Sequence, residues 1–207
     1  MSLSAIANLA SVPVGLVCLT LSIRAFYLYA FSRSDVVFVI GFALSSIALA
    51  ILFGISGEVK FIHWNTEWAR YTGSSIGALF IFLSSLPKSH QGMQQLRRWQ
   101  IVAAMVFGCV VLLTPALPPF TSSLIPMALN STRIIIYGCA FIRYAYLYAL
   151  KGTRFSLIMC VGFLLLAIGF VLFAPQLVTS SLPTVTIMGA FVRIFGYSAV
   201  ALAYSFG

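Results

Sequence analysis

Seven apolar stretches follow one another along this chain, separated by short polar segments. They cover residues 5–31, 36–56, 67–86, 99–118, 124–150, 155–174 and 183–206. A helix of about 20 residues crosses the roughly 30 Å hydrocarbon core of a bilayer. Charged residues make up only 7% of the chain, whereas soluble proteins contain about a quarter. The sequence therefore predicts an all-α polytopic membrane protein with seven transmembrane helices.

A nine-residue motif occurs twice. Segment 23–31 (IRAFYLYAF) returns 119 positions later as segment 142–150 (IRYAYLYAL), with identity at six of nine positions. A second pair of segments, 68–73 (WARYTG) and 191–196 (FVRIFG), shares an aromatic residue, an arginine and a glycine at the same spacing. Matches in the same order indicate an internal duplication.

The duplication predicts a 3+1+3 arrangement. Residues 1–86 form the first three-helix repeat, 87–120 a loop and connecting helix, and 121–207 the second three-helix repeat. Four spans separate corresponding helices, so the two repeats run parallel. Parallel repeats are related by an axis along the membrane normal, and we expect a binding site between the two halves.

The loop charges predict an orientation. Six basic residues are placed in the first, third and fifth loops: Arg33, Lys88, Arg97, Arg98, Lys151 and Arg154. Only Lys60 is placed in a loop on the opposite side. The positive-inside rule therefore predicts an outside N-terminus and a cytoplasmic C-terminus. Contact between basic loops and anionic lipids accounts for the net charge of +9, and no nucleic-acid partner is predicted.

Five further arginines fall inside predicted spans, where a charged side chain costs about 2.5–3.5 kcal/mol. The chain contains only three acids to neutralise them, namely Asp35, Glu58 and Glu67. Either these arginines extend towards the lipid headgroups, or they bind an external anion. Tyrosines at i+3 from the duplicated arginines allow cation–π contacts, or else belong to an interfacial aromatic belt. The candidate ligand-binding residues are Arg24, Arg70, Arg133, Arg143, Arg193, Tyr27 and Tyr146.

Chemistry beyond binding finds little support in the sequence. No nucleophile elbow or pair of membrane aspartates occurs, so no enzymatic activity is predicted. The four cysteines lie in apolar spans without Cys-x-x-Cys spacing, so neither a metal nor a cofactor is predicted. We expect a protein that binds or transports a small anionic solute or lipid headgroup between its halves. The alternatives are a non-catalytic structural or accessory subunit of a larger membrane complex, and a seven-helix membrane sensor. The expected partners are membrane lipids, a small anion, and other membrane subunits or a second copy of the chain.

Overall fold

The computed structural model describes residues 12–58, 65–86, 89–178 and 183–206. Within these ranges the chain forms seven α-helices. They are α1 (Val12–Ser32), α2 (Asp35–Glu58), α3 (Glu67–Ser84), α4 (His90–Leu113), α5 (Leu124–Lys151), α6 (Arg154–Val178) and α7 (Pro183–Phe206). Six of the seven are long and apolar enough to cross a membrane, with α3 the exception. The predicted all-α, multi-pass membrane architecture is confirmed at this level.

Helix α4 corrects one predicted boundary. Its apolar stretch was placed at 99–118, but the helix begins at His90 and ends at Leu113. Ser89 caps the start, because its Oγ accepts a hydrogen bond from the Gly92 amide at 3.2 Å. The placement of Arg97 in a loop was therefore wrong, as was that of its neighbour Arg98. Arg97 lies in the second turn of α4, and its Nη1 donates to Asp35 Oδ1 at 3.0 Å.

Helix α3 runs antiparallel to α2 over much of its length. Gly57 of α2 lies against Thr66, immediately before α3 begins. At the other end of the contact, a Cβ on Gly77 would lie 2.6 Å from the Ala43 carbonyl oxygen. The contact extends from Ala43 to Gly57 of α2, a rise of roughly 20 Å at 1.5 Å per residue. The first half of α3 is polar, which explains why α3 alone among the seven helices described is not apolar enough to be assigned as a membrane span. The count of seven spans stays a prediction.

The chain divides into two compact units, Cys18–Thr121 and a second formed by Met1–Val17 with Ser122–Gly207. In the Cys18–Thr121 unit, α2 packs against α3, and α4 packs on both. In the other unit, α6 packs against both α5 and α7. This second unit, called the C-terminal unit below, contains most of the chemistry described next.

The α1–α2 and α5–α6 connections share one geometry. Arg33 and Gly152 both adopt a left-handed backbone conformation, with φ angles of 53° and 60°. Their amides donate to the carbonyls of Tyr29 and Tyr148 at 2.9 and 2.8 Å, which closes the end of each preceding helix. Each pair of corresponding residues is 119 positions apart, the spacing of the nine-residue motif. The two turns are therefore alike, while the full 3+1+3 duplication stays a prediction.

Candidate anion-binding site

Two arginines on different helices of the C-terminal unit approach the same aromatic ring. The guanidinium carbon of Arg133, on α5, lies 4.8 Å from the ring centroid of Phe170, on α6. Arg193, on α7, places its guanidinium carbon 5.2 Å from the same centroid and 4.8 Å from that of Phe173. The two guanidinium carbons are thus no farther apart than the sum of their distances to Phe170, 10.0 Å. Cation–π attraction stabilises both arginines at these rings.

Two glycines bring Arg193 to this position. A Cβ on Gly169 would lie 3.0 Å from the Gly189 carbonyl oxygen and 3.2 Å from the Arg193 amide nitrogen. It would also lie 2.5 Å from Arg193 Cγ. These distances are shorter than carbon contacts tolerate, so α6 and α7 approach closely only because neither glycine has a side chain. The close approach places the stem of Arg193 directly over Gly169.

Each arginine also bonds the preceding turn of its own helix. Arg133 Nε donates to the Leu129 carbonyl, and Arg193 Nε donates to the Gly189 carbonyl, both at 3.3 Å. A guanidinium carries five N–H donors in a planar fork. These bonds hold the base of each fork and so restrain its orientation. Arg133 is only 6% exposed, whereas Arg193 is half-buried.

Asn130 adds a hydrogen-bond acceptor one turn before Arg133. Its side chain is fully buried, and its Nδ2 donates to the Phe170 carbonyl at 3.1 Å. A carbonyl can only accept, so this bond fixes which side of the amide is nitrogen. The Asn130 Oδ1 is buried, and no donor reaches it among the residues that the structure describes. Buried acceptors normally have a partner, so this oxygen is an unusual feature of the site.

Tyr137 continues the same face of α5. Asn130, Arg133 and Tyr137 stand at i, i+3 and i+7, a spacing that aligns side chains along one side of a helix. The Tyr137 ring stacks on Phe170 with centroids 5.5 Å apart. Its hydroxyl lies 2.9 Å from the Tyr197 hydroxyl of α7, and both tyrosines are buried. The helices of this unit are therefore joined by a polar and aromatic cluster.

No carboxylate side chain in the C-terminal unit can neutralise this cluster. Glu67 is the last acid in the entire sequence. Residues 122–207 nevertheless contain five cationic side chains, namely Arg133, Arg143, Lys151, Arg154 and Arg193. No side-chain carboxylate of residues 122–207 can therefore serve as a counter-charge for Arg133 and Arg193.

Three other predicted site residues, those of the first half of the chain, belong to the Cys18–Thr121 unit. Arg24 is exposed on α1, and Tyr27 is 64% exposed with its ring 4.9 Å from that of Phe31. Arg70 is half-buried on α3, where it lies against Gly54 of α2. Arg24 and Arg70 therefore belong to a different compact unit from Arg133.

The duplicated arginine of the second half stands apart from the cluster as well. Arg143 lies ten residues after Arg133 on α5, or about 15 Å along the helix axis. Its guanidinium carbon is 6.0 Å from the ring centroid of Tyr146, which is 57% exposed. This is the limit of a cation–π contact, and its aromatic partner is exposed.

The sequence interpretation missed Asn130 and Phe170. A polar pair at i and i+3 inside an apolar span, Asn130 with Arg133, is a signal that could have located the first. Nothing in the sequence distinguishes Phe170 from the other phenylalanines of α6, because its role depends on which helices pack beside it.

Among the described residues, no three His, Cys, Asp or Glu side chains come together as metal ligands would. No protein-family model, no curated protein and no solved structure matches this chain. A function for this chain has to be inferred from the chemistry of the cluster.

Proposed function

We propose that this multi-pass membrane protein binds a small anion, a solute or the headgroup of a lipid, through Arg133 and Arg193. The observation that carries the proposal is the approach of both guanidiniums to Phe170 in a segment that has no acidic side chain. Two unit charges 10 Å apart repel by about 1.7 kcal/mol at an effective dielectric constant of 20. The two guanidinium carbons are at most 10.0 Å apart, so their mutual repulsion is at least this large. An anion bound by both arginines would offset it.

The form of the two arginines suits oxyanion recognition. A guanidinium presents paired N–H groups that match two oxygens of a carboxylate, phosphate or sulfate, and such charge-assisted bonds are stronger than neutral ones. The Nε bond to the preceding turn and the aromatic contact restrain each fork. Restrained donors lose less conformational entropy on binding, which favours affinity. We assign no catalytic step to the site.

The repeat and the orientation are further parts of this proposal. Support for a duplication comes from the two alike turns and from one contact that recurs in each unit. Arg70 lies over Gly54 of the preceding helix, and Arg193 lies over Gly169 of its preceding helix. A parallel repeat of three spans on either side of a connecting helix, with the N-terminus outside, would suit a carrier or a sensor of the bound anion.

A pair of variants tests the proposal in the purified full chain. Arg193→Gln removes the planar cation but keeps a long polar side chain, and it should weaken sulfate and phosphate binding at least tenfold. Arg193→Lys should recover part of the affinity, because an ammonium keeps the charge but not the fork. Arg24→Gln is the matched control, since it makes the same change in the other compact unit. Titration calorimetry and anion-dependent melting would measure the affinity of each variant for sulfate and for phosphate.

A second candidate is a non-catalytic subunit of a membrane assembly. It is favoured by α4, where Trp99 is 61%, Met105 59% and Leu112 80% exposed on a helix that packs only against α2 and α3 among the contacts described. In that case Arg193→Gln would lower thermal stability and release a co-purifying partner. Unchanged anion affinity in Arg193→Gln, combined with such a release, would replace the binding proposal with this one.

A further inference from the structure

We infer that the bound anion carries a hydrogen-bond donor of its own, as hydrogen phosphate or a singly protonated phosphomonoester does, and that Asn130 recognises that donor. This inference rests on the proposed anion site at Arg133 and Arg193. It assigns to Asn130 a role in selecting the ligand. The shared chemistry is a tetrahedral oxyanion with at least one O–H group.

The first step is the orientation of the Asn130 amide. One N–H of its nitrogen donates to the Phe170 carbonyl at 3.1 Å, which identifies the other terminal atom of the amide as the oxygen. The side chain is fully buried, and no donor reaches Oδ1 among the residues in the described ranges. A buried acceptor without a donor is destabilising, and a ligand that supplies the donor regains that loss on binding.

The second step is proximity to the two cations. Asn130 and Arg133 are one turn apart on the same face of α5, where side chains are neighbours. Phe170 joins them, since its carbonyl accepts from the amide and its ring contacts both guanidiniums. Guanidinium groups only donate, and Asn130 Oδ1 only accepts. A complementary ligand therefore presents several acceptor oxygens and one donor.

The third step separates two oxyanions of similar shape. Hydrogen phosphate and sulfate have the same charge and the same tetrahedral arrangement of oxygens, but at neutral pH only hydrogen phosphate keeps an O–H. Sites built with a buried polar group discriminate strongly against a ligand that leaves that group unpaired. We therefore expect phosphate to bind at least tenfold more tightly than sulfate, a difference of about 1.4 kcal/mol.

The test uses the full chain in nanodiscs of phosphatidylcholine, titrated with sodium phosphate and with sodium sulfate at one pH and ionic strength. The wild-type preference for phosphate is the primary measurement, and it needs no variant. Asn130→Leu should then lower the ratio of phosphate affinity to sulfate affinity to about one. Because that variant also loses the bond to Phe170, monomethyl and dimethyl phosphate provide a second comparison on the wild type. This comparison is made at pH 5, below the second pKa of a phosphomonoester at about 6, where both esters are monoanions. Only the monomethyl ester then retains an O–H, so it should bind at least tenfold more tightly.

Adding phosphatidic acid to the nanodiscs identifies the source of the group. Loss of inorganic phosphate binding at a few mole per cent of phosphatidic acid would assign the site to a lipid headgroup, and unchanged binding would assign it to a soluble phosphate. Either outcome supports the inference when sulfate binds more weakly. Equal affinity for phosphate and sulfate overturns it but leaves the anion site standing. No binding of phosphate, sulfate or phosphatidic acid would overturn the proposed function itself.

Discussion

The contact between α6 and α7 at Gly169 provides the sharpest test of the packing that forms the site. In Gly169→Ala, the new methyl carbon would lie 2.5 Å from Arg193 Cγ and 3.0 Å from the Gly189 carbonyl oxygen. Favourable carbon contacts are about 3.5–4.0 Å, so α7 would have to move away by about 0.5–1 Å. Part of this contact is backbone, so a change of rotamer cannot relieve it.

The expected magnitude follows from two opposing terms. Overpacking of this kind typically costs about 1–3 kcal/mol. Replacing a helical glycine by alanine recovers about 1 kcal/mol of helix propensity. Gly138→Ala on α5 isolates the second term, because a Cβ there would meet no atom within 4 Å. Gly169→Ala should therefore be less stable than Gly138→Ala by about 1–3 kcal/mol.

Reversible unfolding by SDS in mixed micelles would measure this difference for the wild type and the two variants. Gly169→Ala should also weaken anion binding, since the displaced helix carries Arg193, whereas Gly138→Ala should bind anions as the wild type does. Equal stability of the two alanine variants would contradict the close approach of α6 and α7, and with it the position assigned to Arg193.

Three further predictions concern topology and local structure. A membrane-impermeant maleimide applied to intact cells should label Thr121→Cys but not Gln91→Cys. Both residues are exposed, Gln91 in the first turn of α4 and Thr121 between α4 and α5, and the proposed orientation places only Thr121 outside. The reverse pattern would invert the orientation, and labelling of both would show that α4 does not span. Tyr137→Phe should cost about 1 kcal/mol of stability, because it removes the hydroxyl contact with Tyr197. Tyr197→Phe should then cost less in that variant than in the wild type. Additive losses in the free energies of unfolding by SDS would show that the contact is not formed. Arg33→Gly should stabilise the protein by about 0.5–1 kcal/mol, since glycine adopts the φ of 53° without the strain of a side chain. A loss of stability in the same assay would show that the arginine makes a contact whose contribution outweighs the strain.

Helix bounds followed from the sequence where a breaker coincides with a change in hydropathy. The fifth stretch was predicted at 124–150, and α5 occupies Leu124–Lys151, ending at the left-handed Gly152. The start of α4 was missed because His, Gln and Arg lower the hydropathy of its first turns. Backbone hydrogen bonds and the Ser89 cap, rather than hydropathy, decide where that helix begins.

The composition of the candidate site depended on packing that the sequence does not specify. The positions of Arg133 and Arg193 within long apolar stretches marked both as costly cations. Their approach to one ring depends on α6 lying between α5 and α7, and on the Gly169 contact with α7. The sequence displays the glycines but does not show which backbone each will touch.

The lack of acids after Glu67 has a consequence for the acid–base behaviour of the site. Residues 122–207 contain no Asp, Glu or His, the side chains that ordinarily titrate below about pH 8. No Asp, Glu or His of this segment can therefore change the charge around the site between about pH 5 and pH 8. Across that interval the ligand is the species that gains or loses protons. A pH profile of binding would then report the ionisation of the anion, with a slope for phosphate and a flat line for sulfate.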